Sequence, residues 1–241
     1  MAVATPTTLT KGGTTTDGVT GTTASVTFTS GRLYILTVNT RTGITADPTQ
    51  PTAAGGNVVW VVPTNGSEVI DQTSASRRRL TLLYGVCTST TTGTVVITTG
   101  VQTQETFGWI IDEITSGFDT GTPVVQAAKN NSQTAVTSIT ATLADFSSSN
   151  NATYGACGFS NGTITPTAGT GFTLVTTNTD AGGDGNLSLD TEFRSDNDTS
   201  VDVTFASDSE NGIIGIEIKA TAAVVAMAKG FMTTNTGFWG A

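Results

Sequence analysis

Residues 32–39 read Arg32-Leu33-Tyr34-Ile35-Leu36-Thr37-Val38-Asn39, and the reading of this stretch decides the fold. Its apolar side chains fall on both parities, so a pleated strand buries both faces here, as a central strand covered on two sides does. Working outward, Ala24–Thr29 alternates Val26 and Phe28 with polar neighbours and is closed by Ser30-Gly31. Arg79–Val86 places Leu80, Leu82 and Tyr84 on one face. Gly93–Thr98 and Phe107–Thr115 follow, the latter with Trp109 and Ile111 on one side and Ile110 and Ile114 on the other. A strand over Asn57–Val62, holding Trp60, lies between polar loops. No intervening segment carries a helical apolar period. The expectation is an all-β protein.

Composition agrees. About a fifth of the 241 residues are threonine and 28 are glycine, whereas only 12% are charged. Threonine is stiff at χ1 and suits a half-buried pleated surface, and glycine suits tight turns. A second series runs through Thr134–Leu143, Ala152–Phe159, Gly171–Thr176, Asn186–Arg194, Val201–Phe205 and Ile213–Lys219. Trp109-Ile110-Ile111-Asp112-Glu113-Ile114 resembles Ile213-Ile214-Gly215-Ile216-Glu217-Ile218, and Thr23–Thr27 resembles Thr134–Ser138. These likenesses suggest a jelly-roll or Ig-like β-sandwich of about twelve short strands in two pseudo-repeats of six. The expected organisation is an N-terminal arm over 1–22, a body over 23–220 with repeats 23–116 and 122–220, and an apolar tail over 221–241. Two small sandwiches or one interleaved body would both give this pattern; the short link 116–122 favours one unit.

The chemistry on offer is sparse. With no histidine there is neither a Ser-His-Asp or Cys-His pair nor an imidazole metal site. Ten basic residues against 19 acidic ones, a net charge of −9, argue against broad nucleic-acid binding. No run approaches the ~20 apolar residues that span a bilayer as a helix, and Met1–Thr10 lacks the marks of a secretory signal. Cys87 and Cys157 form no CxxC pair and read as small buried hydrophobes of a chain made in a reducing cytoplasm.

Among carboxylates, Asp112 and Glu113 are sequence neighbours and point to opposite faces of a strand, so they cannot share acid and base work directly. Glu217 could meet one of them across a sheet. Asp180, Asp184, Asn186, Asp190 and Glu192 form an oxygen-rich stretch, followed by Asp196, Asn197 and Asp198, but the ligand spacing of a calcium loop is missing. Alternation makes Asn186, Ser188, Asp190 and Glu192 the wet face of a strand whose dry face is Leu187, Leu189 and Phe193. No catalytic residue, metal ligand or cofactor is assigned, and an enzyme is not expected.

Two segments are candidates for interfaces. The cluster Arg77-Arg78-Arg79 sits where a loop becomes a strand, either paired with the chain's own acids or docked on an acidic partner, with Arg78 facing away from the other two. The tail carries Val224, Val225, Met227, Phe231, Met232, Phe238 and Trp239, and each buried Val or Phe is worth about 1.5–3 kcal/mol. Such a tail docks on its own body, on a sister subunit or on another protein.

Short motifs carry a resemblance over roughly residues 20–220. They are Thr23-Ala24-Ser25-Val26 with Ser30-Gly31-Arg32-Leu33-Tyr34, Arg78–Tyr84, Trp109–Ile114, Thr191–Ser195 with Asp198-Thr199-Ser200, and Gly215–Ala220. Together they look like a pattern common in tailed-phage virion proteins, and more loosely the chain resembles the β-sandwich cement, or decoration, proteins of icosahedral capsids. The resemblance implies a trimeric structural subunit on the outer capsid surface, made in the host cytoplasm, with the major capsid protein as partner and no nucleic acid or membrane. The alternative is a carbohydrate- or host-receptor-binding module of a head fibre or tail, gripping a glycan with exposed aromatic rings near Trp60 or Tyr154.

Overall fold

The computed structural model describes residues 2–72, 76–179 and 187–222. These residues form sixteen β-strands and no helix, and every strand pairing is antiparallel. The all-β, jelly-roll-like sandwich expected from the alternation is what forms, with sixteen described strands rather than about twelve, two of them 19 residues long.

The first half contains β1 (Thr7–Thr14), β2 (Thr20–Thr22), β3 (Val26–Phe28), β4 (Leu33–Arg41), β5 (Thr52–Gly55), β6 (Ser67–Ile70), β7 (Arg78–Val86), β8 (Thr91–Gly93), β9 (Val95–Thr98) and β10 (Thr106–Ile114). The second contains β11 (Val124–Thr142), β12 (Ala152–Phe159), β13 (Pro166–Ala168), β14 (Thr173–Asn178), β15 (Ser188–Arg194) and β16 (Ser200–Ile218). The large sheet of the first half has the order β1-β10-β4-β7-β6, and that of the second β11-β16-β12-β15-β14. Both orders are first, last, second, fourth, third of the strands concerned. A small sheet, β2-β9-β5, accompanies the first; its counterpart is the far half of the β11–β16 ribbon with β13 added beside β16. No described strand of one half pairs in a β-ladder with a strand of the other; the halves are joined by side-chain hydrogen bonds and packing.

Register makes the correspondence residue by residue. Glu113 lies opposite Tyr34 and Ile114 opposite Leu33, while Glu217 lies opposite Thr153 and Ile218 opposite Ala152. Trp109–Ile114 and Ile213–Ile218 therefore occupy equivalent places. The contacts between halves are reciprocal too: β10 meets β15 as β16 meets β7, β4 meets β15 as β12 meets β7, and β1 meets β14 as β11 meets β6. This is the pattern of an isologous interface, here within one chain.

Three apolar clusters follow from these layers. The large sheets pack face to face over a central core that includes Leu33, Ile35, Leu80, Ile110, Tyr154, Leu189, Ile214 and Ile216. The other face of the first large sheet buries Tyr34, Leu36, Leu83, Phe107 and Trp109 beneath the small sheet, with Phe28 edge-on to Tyr34 at 4.8 Å. The other face of the second buries Cys157, Phe159, Val201, Val203 and Phe205. Four layers result, each large sheet being covered on both sides. This is why Leu33–Val38 is apolar at both parities.

Gly117 turns the chain from one half into the other. Its φ is +86°, and a Cβ there would lie 2.0 Å from the Ala2 carbonyl oxygen, so only glycine fits. Residues 7–14, expected to be part of an arm, are an edge strand of the first large sheet, and Val3 is buried in the central core. Asn57–Val62 is not a strand; it meets β7 through an isolated bridge from Val61 to Tyr84, with a second from Val58 to Cys87 just past the strand's end. Asn57 there takes a positive φ, which ends regular pairing.

Candidate functional site

Asp112 and Glu113 of β10 and Glu217 of β16 are held inside the body. Asp112 and Glu113 do face opposite sides of β10. Asp112 is fully buried in the seam between the halves and accepts hydrogen bonds from Thr8 (2.8 Å), Tyr154 (2.8 Å) and Thr191 (2.7 Å). Burial pushes its pKa up, and the three donated hydrogen bonds pull against that. Its position corresponds to Ile216 in the second half. Asp112 is thus a polar pin joining residues from both large sheets.

Glu113 accepts from the Tyr34 hydroxyl at 2.6 Å and pairs with Arg32 at 2.7 Å. Burial, and then the hydrogen bond to this carboxylate, raise the Tyr34 pKa to about 12. Glu217, its equivalent, meets neither Asp112 nor Glu113; it accepts from Gln126 Nε2 at 2.7 Å and from Asn151 Nδ2. Arg32 and Asn151 each immediately precede the equivalent strands' starts, so the same lattice point supplies the donor in both halves.

The wet-face reading of β15 is corrected. Ser188, Asp190 and Glu192 alternate away from the central core, yet all three are buried, because β13 and the first part of β16 cover that side. Asn186 lies outside the described residues. Asp190 is 1% exposed, and among the described residues neither of its carboxylate oxygens nor the Glu192 Oε1 has a hydrogen-bond partner. Burial, and then mutual repulsion with Glu192, drive the Asp190 pKa well up. Burial raises Glu192 to about 7, opposed by the bond its Oε2 accepts from the Gly169 amide at 3.0 Å. Cys157, directly across from Asp190, has its thiol pKa pushed well above the usual range, first by burial and then by these two acids. An unactivated thiol between two acids held toward their neutral forms is poor material for nucleophilic chemistry. Among the described residues no group of three His, Cys, Asp or Glu is placed to hold a metal ion.

Each member of the arginine cluster closes on its own chain. Arg77 pairs with Asp47; Arg79 donates to the Pro48 carbonyl and to Ser67. Arg78 turns to the other side as alternation requires, and is buried against Asp71. Val224, Val225, Met227, Phe231, Met232, Phe238 and Trp239 lie outside the described residues, as do Asp180 and Asp184. Asp196 and Asp198 both pair with Arg194. Cys87 and Cys157 are free and buried in different clusters.

Tyr154 is not an exposed ring: it is completely buried, its hydroxyl on Asp112. Trp60 is half-buried against Phe28, with its Nε1 donating to the Gly55 carbonyl. What sequence reasoning missed is an exposed apolar surface away from both rings. Val59 is 73% exposed, Val61 43% and Val125 47%, and they border two adjoining hollows that share Tyr84 and Val124. At the far end of the first half, Val101 and Ile44 stand out on loops. The only sequence signal for the first patch was Val58-Val59 and Val61-Val62 flanking Trp60, which reads equally well as a buried strand.

No family model, no curated protein and no solved structure matches this chain.

Proposed function

We propose that this chain is a structural virion protein, a capsid cement or decoration subunit that bridges neighbouring capsid proteins. The observation that carries the reading is how the molecule spends its polar and apolar groups. Glu113, Glu217, Asp112 and the three arginines are turned inward or closed on partners of their own chain, while valines at one seam face outward. That division suits adhesion, in which apolar surface is removed from water at an interface, better than it suits transformation of a substrate. Four covalently continuous layers give the stiffness a bridging subunit needs. The resemblance of its short motifs to a pattern common in tailed-phage virion proteins is what favours a virion location in this reading.

The test is to sediment the purified chain and mix it with expanded capsids. Oligomers, trimers first, that bind the outer surface support the role. A monomer indifferent to capsids, or a location on the tail in micrographs of intact virions, overturns it. Saturable glycan binding lost on Trp60→Ala would move the assignment to the receptor-binding alternative.

A further inference from the structure

At the end of the first half away from the seam valines, two loops hold apolar side chains out into water. β4, β7 and β10 are nine residues each, so this end lies about 27 Å from the other. Val101 is 99% exposed and Ile44 55%, and neither belongs to any of the three apolar clusters. The turns that carry them are nevertheless fixed. Gly100 takes a φ of +69°, and the Thr99 amide donates to the Val19 carbonyl at 3.0 Å. Thr99 Oγ1 donates to the Gln102 carbonyl at 2.8 Å, and Gln102 Nε2 to the Asp47 carbonyl at 3.0 Å, which ties the Val101 turn to the neighbouring loop. On that loop, Thr42 Oγ1 donates to the Ile44 carbonyl at 3.0 Å.

Ile44 and Val101 border a hollow of about 500 Å³, with Asp17, Gly43, Thr103 and Glu105 also on its walls. Asp17 is exposed, and among the described residues its carboxylate has no ion-pair or hydrogen-bond partner. The paired backbone bonds between Gly18 and Gln104, 3.0 and 2.7 Å, set it beside the Val101 loop. Glu105 pairs with Arg41 at 3.1 Å. A Cβ on Gly43 would lie 2.0 Å from Glu105 Oε1, so the missing side chain at 43 is what lets this carboxylate lie across the loop. Two carboxylates against one guanidinium leave a negative charge unbalanced, with aliphatic surface next to it.

We propose that this hollow receives a lysine or arginine side chain of a neighbouring protein, its aliphatic stem against Ile44 and Val101 and its charged head toward Asp17 and Glu105. Long basic side chains cover apolar surface with their stems and keep the charge at a polar end. A cation here balances the site, whereas an acid or a purely apolar group strips Asp17 and Glu105 of water without compensation. Because the turns are already fixed, binding has little order left to impose on them. The side chain comes from another protein rather than from a second copy, because every described lysine and arginine is already bonded within its own chain. Naming that neighbour as a capsid protein rests on the bridging role, in which this hollow is a second contact opposite the seam valines. The preference for a basic side chain stands without that role.

The probe is the end-blocked tripeptide alanyl-arginyl-alanine, with its citrulline counterpart as uncharged isostere, titrated at low salt into the full-length chain carrying labelled valine and isoleucine methyl groups. Saturable shifts at Val101 and Ile44 are expected with the arginine peptide at about millimolar concentration, and about fivefold weaker binding with citrulline. Asp17→Asn with Val101→Ser, both at exposed positions, is expected to weaken the arginine peptide about fivefold, read at Ile44, and to leave the rest of the methyl spectrum in place. No shift at these methyls, equal binding of the two peptides, or binding unchanged by the double substitution overturns the proposal. So do shifts at Val101 and Ile44 on concentrating the chain alone, which make a second copy the occupant. Expanded capsids separate the site from the role. A chain that binds the arginine peptide but no capsid keeps the site and loses the role; one that binds capsids and not the peptide keeps the role and loses the site.

Discussion

The two halves share strand order and register but fill equivalent places differently. Register aligns Leu83 with Glu192 and Thr81 with Asp190: in the first half Leu83 packs among Leu36 and Phe107, whereas in the second the same lattice points hold two buried acids. The second half is the continuous one, with β11 and β16 running as unbroken 19-residue strands. Their first-half counterparts are interrupted, β1 and β2 by residues 15–19 and β9 and β10 by residues 99–105, with only a bridge between Gly18 and Gln104. The lesson is that the topology needs covered faces and correct register. It does not need one chemistry behind them.

The largest effect should come from forcing one half's chemistry on the other. Leu83→Glu puts a carboxylate into a site with no polar partner, at a cost of about 4 kcal/mol or more at neutral pH, and denaturant unfolding should show loss of the native state or a steep drop in midpoint. Ile110→Ala and Ile214→Ala remove equivalent side chains from the central core, both fully buried. Each should cost about 2–5 kcal/mol, and the two should agree more closely with each other than either does with a cluster beneath one sheet, such as Val203→Ala. Unequal costs would break the equivalence energetically even though the topology holds.

The buried acids of β15 add a pH dependence that Leu83 and Thr81, at the equivalent places, do not. Glu192 titrates at about 7 in the folded chain against an ordinary value of 4.5. Because the folded pKa is raised, the native state holds the proton more tightly than the unfolded chain does. Stability from this group is complete below about pH 4.5, falls as pH rises to about 7, and is lost above that, by about 3 kcal/mol in all. Asp190, also raised, adds a loss of the same sign. Glu192→Gln keeps the acceptor for the Gly169 amide and removes the titration. Urea midpoints between pH 5 and 8 should decline more steeply for the parent chain than for the variant, which keeps only the Asp190 part of the loss; equal slopes would remove Glu192 as a cause.

These differences explain what was readable in the sequence. Leu33–Val38 and Trp109–Ile114 announced doubly covered strands because both parities are apolar, and they are. Asp190 and Glu192 were misread because alternation reports only that two faces differ; a polar face gives the same pattern whether water or β13 lies over it. β1 escaped because Thr-Thr-Leu-Thr-Lys-Gly-Gly-Thr has a single large apolar residue and holds its place through pairing with β10. Ser67–Ile70 and Pro166–Ala168 are too short to show a period at all. For the interfaces, residue type was legible and partnership was not: Arg78 looks like any surface arginine until the pairing of β6 with β7 brings Asp71 beside it.

The smallest contrast is the sharpest, because it isolates one donor. Arg32 and Asn151 stand at the same lattice point and serve Glu113 and Glu217. The Arg32 side chain is 36% exposed, so its ion pair is screened by solvent, and Glu113 keeps the Tyr34 hydroxyl when Arg32 is gone. Arg32→Ala should cost under about 1 kcal/mol, and that cost should shrink further in 1 M salt. Asn151 is buried, and besides donating to Glu217 it accepts from the Ala220 amide at 3.0 Å. Asn151→Ala leaves a buried carboxylate oxygen and a buried amide each short of a partner, at about 1–3 kcal/mol with little salt dependence. Denaturation of both variants at low and high salt reads the difference directly. If both losses vanish in salt, the Asn151–Glu217 contact is screened like the Arg32–Glu113 pair, and this lattice point no longer distinguishes the halves.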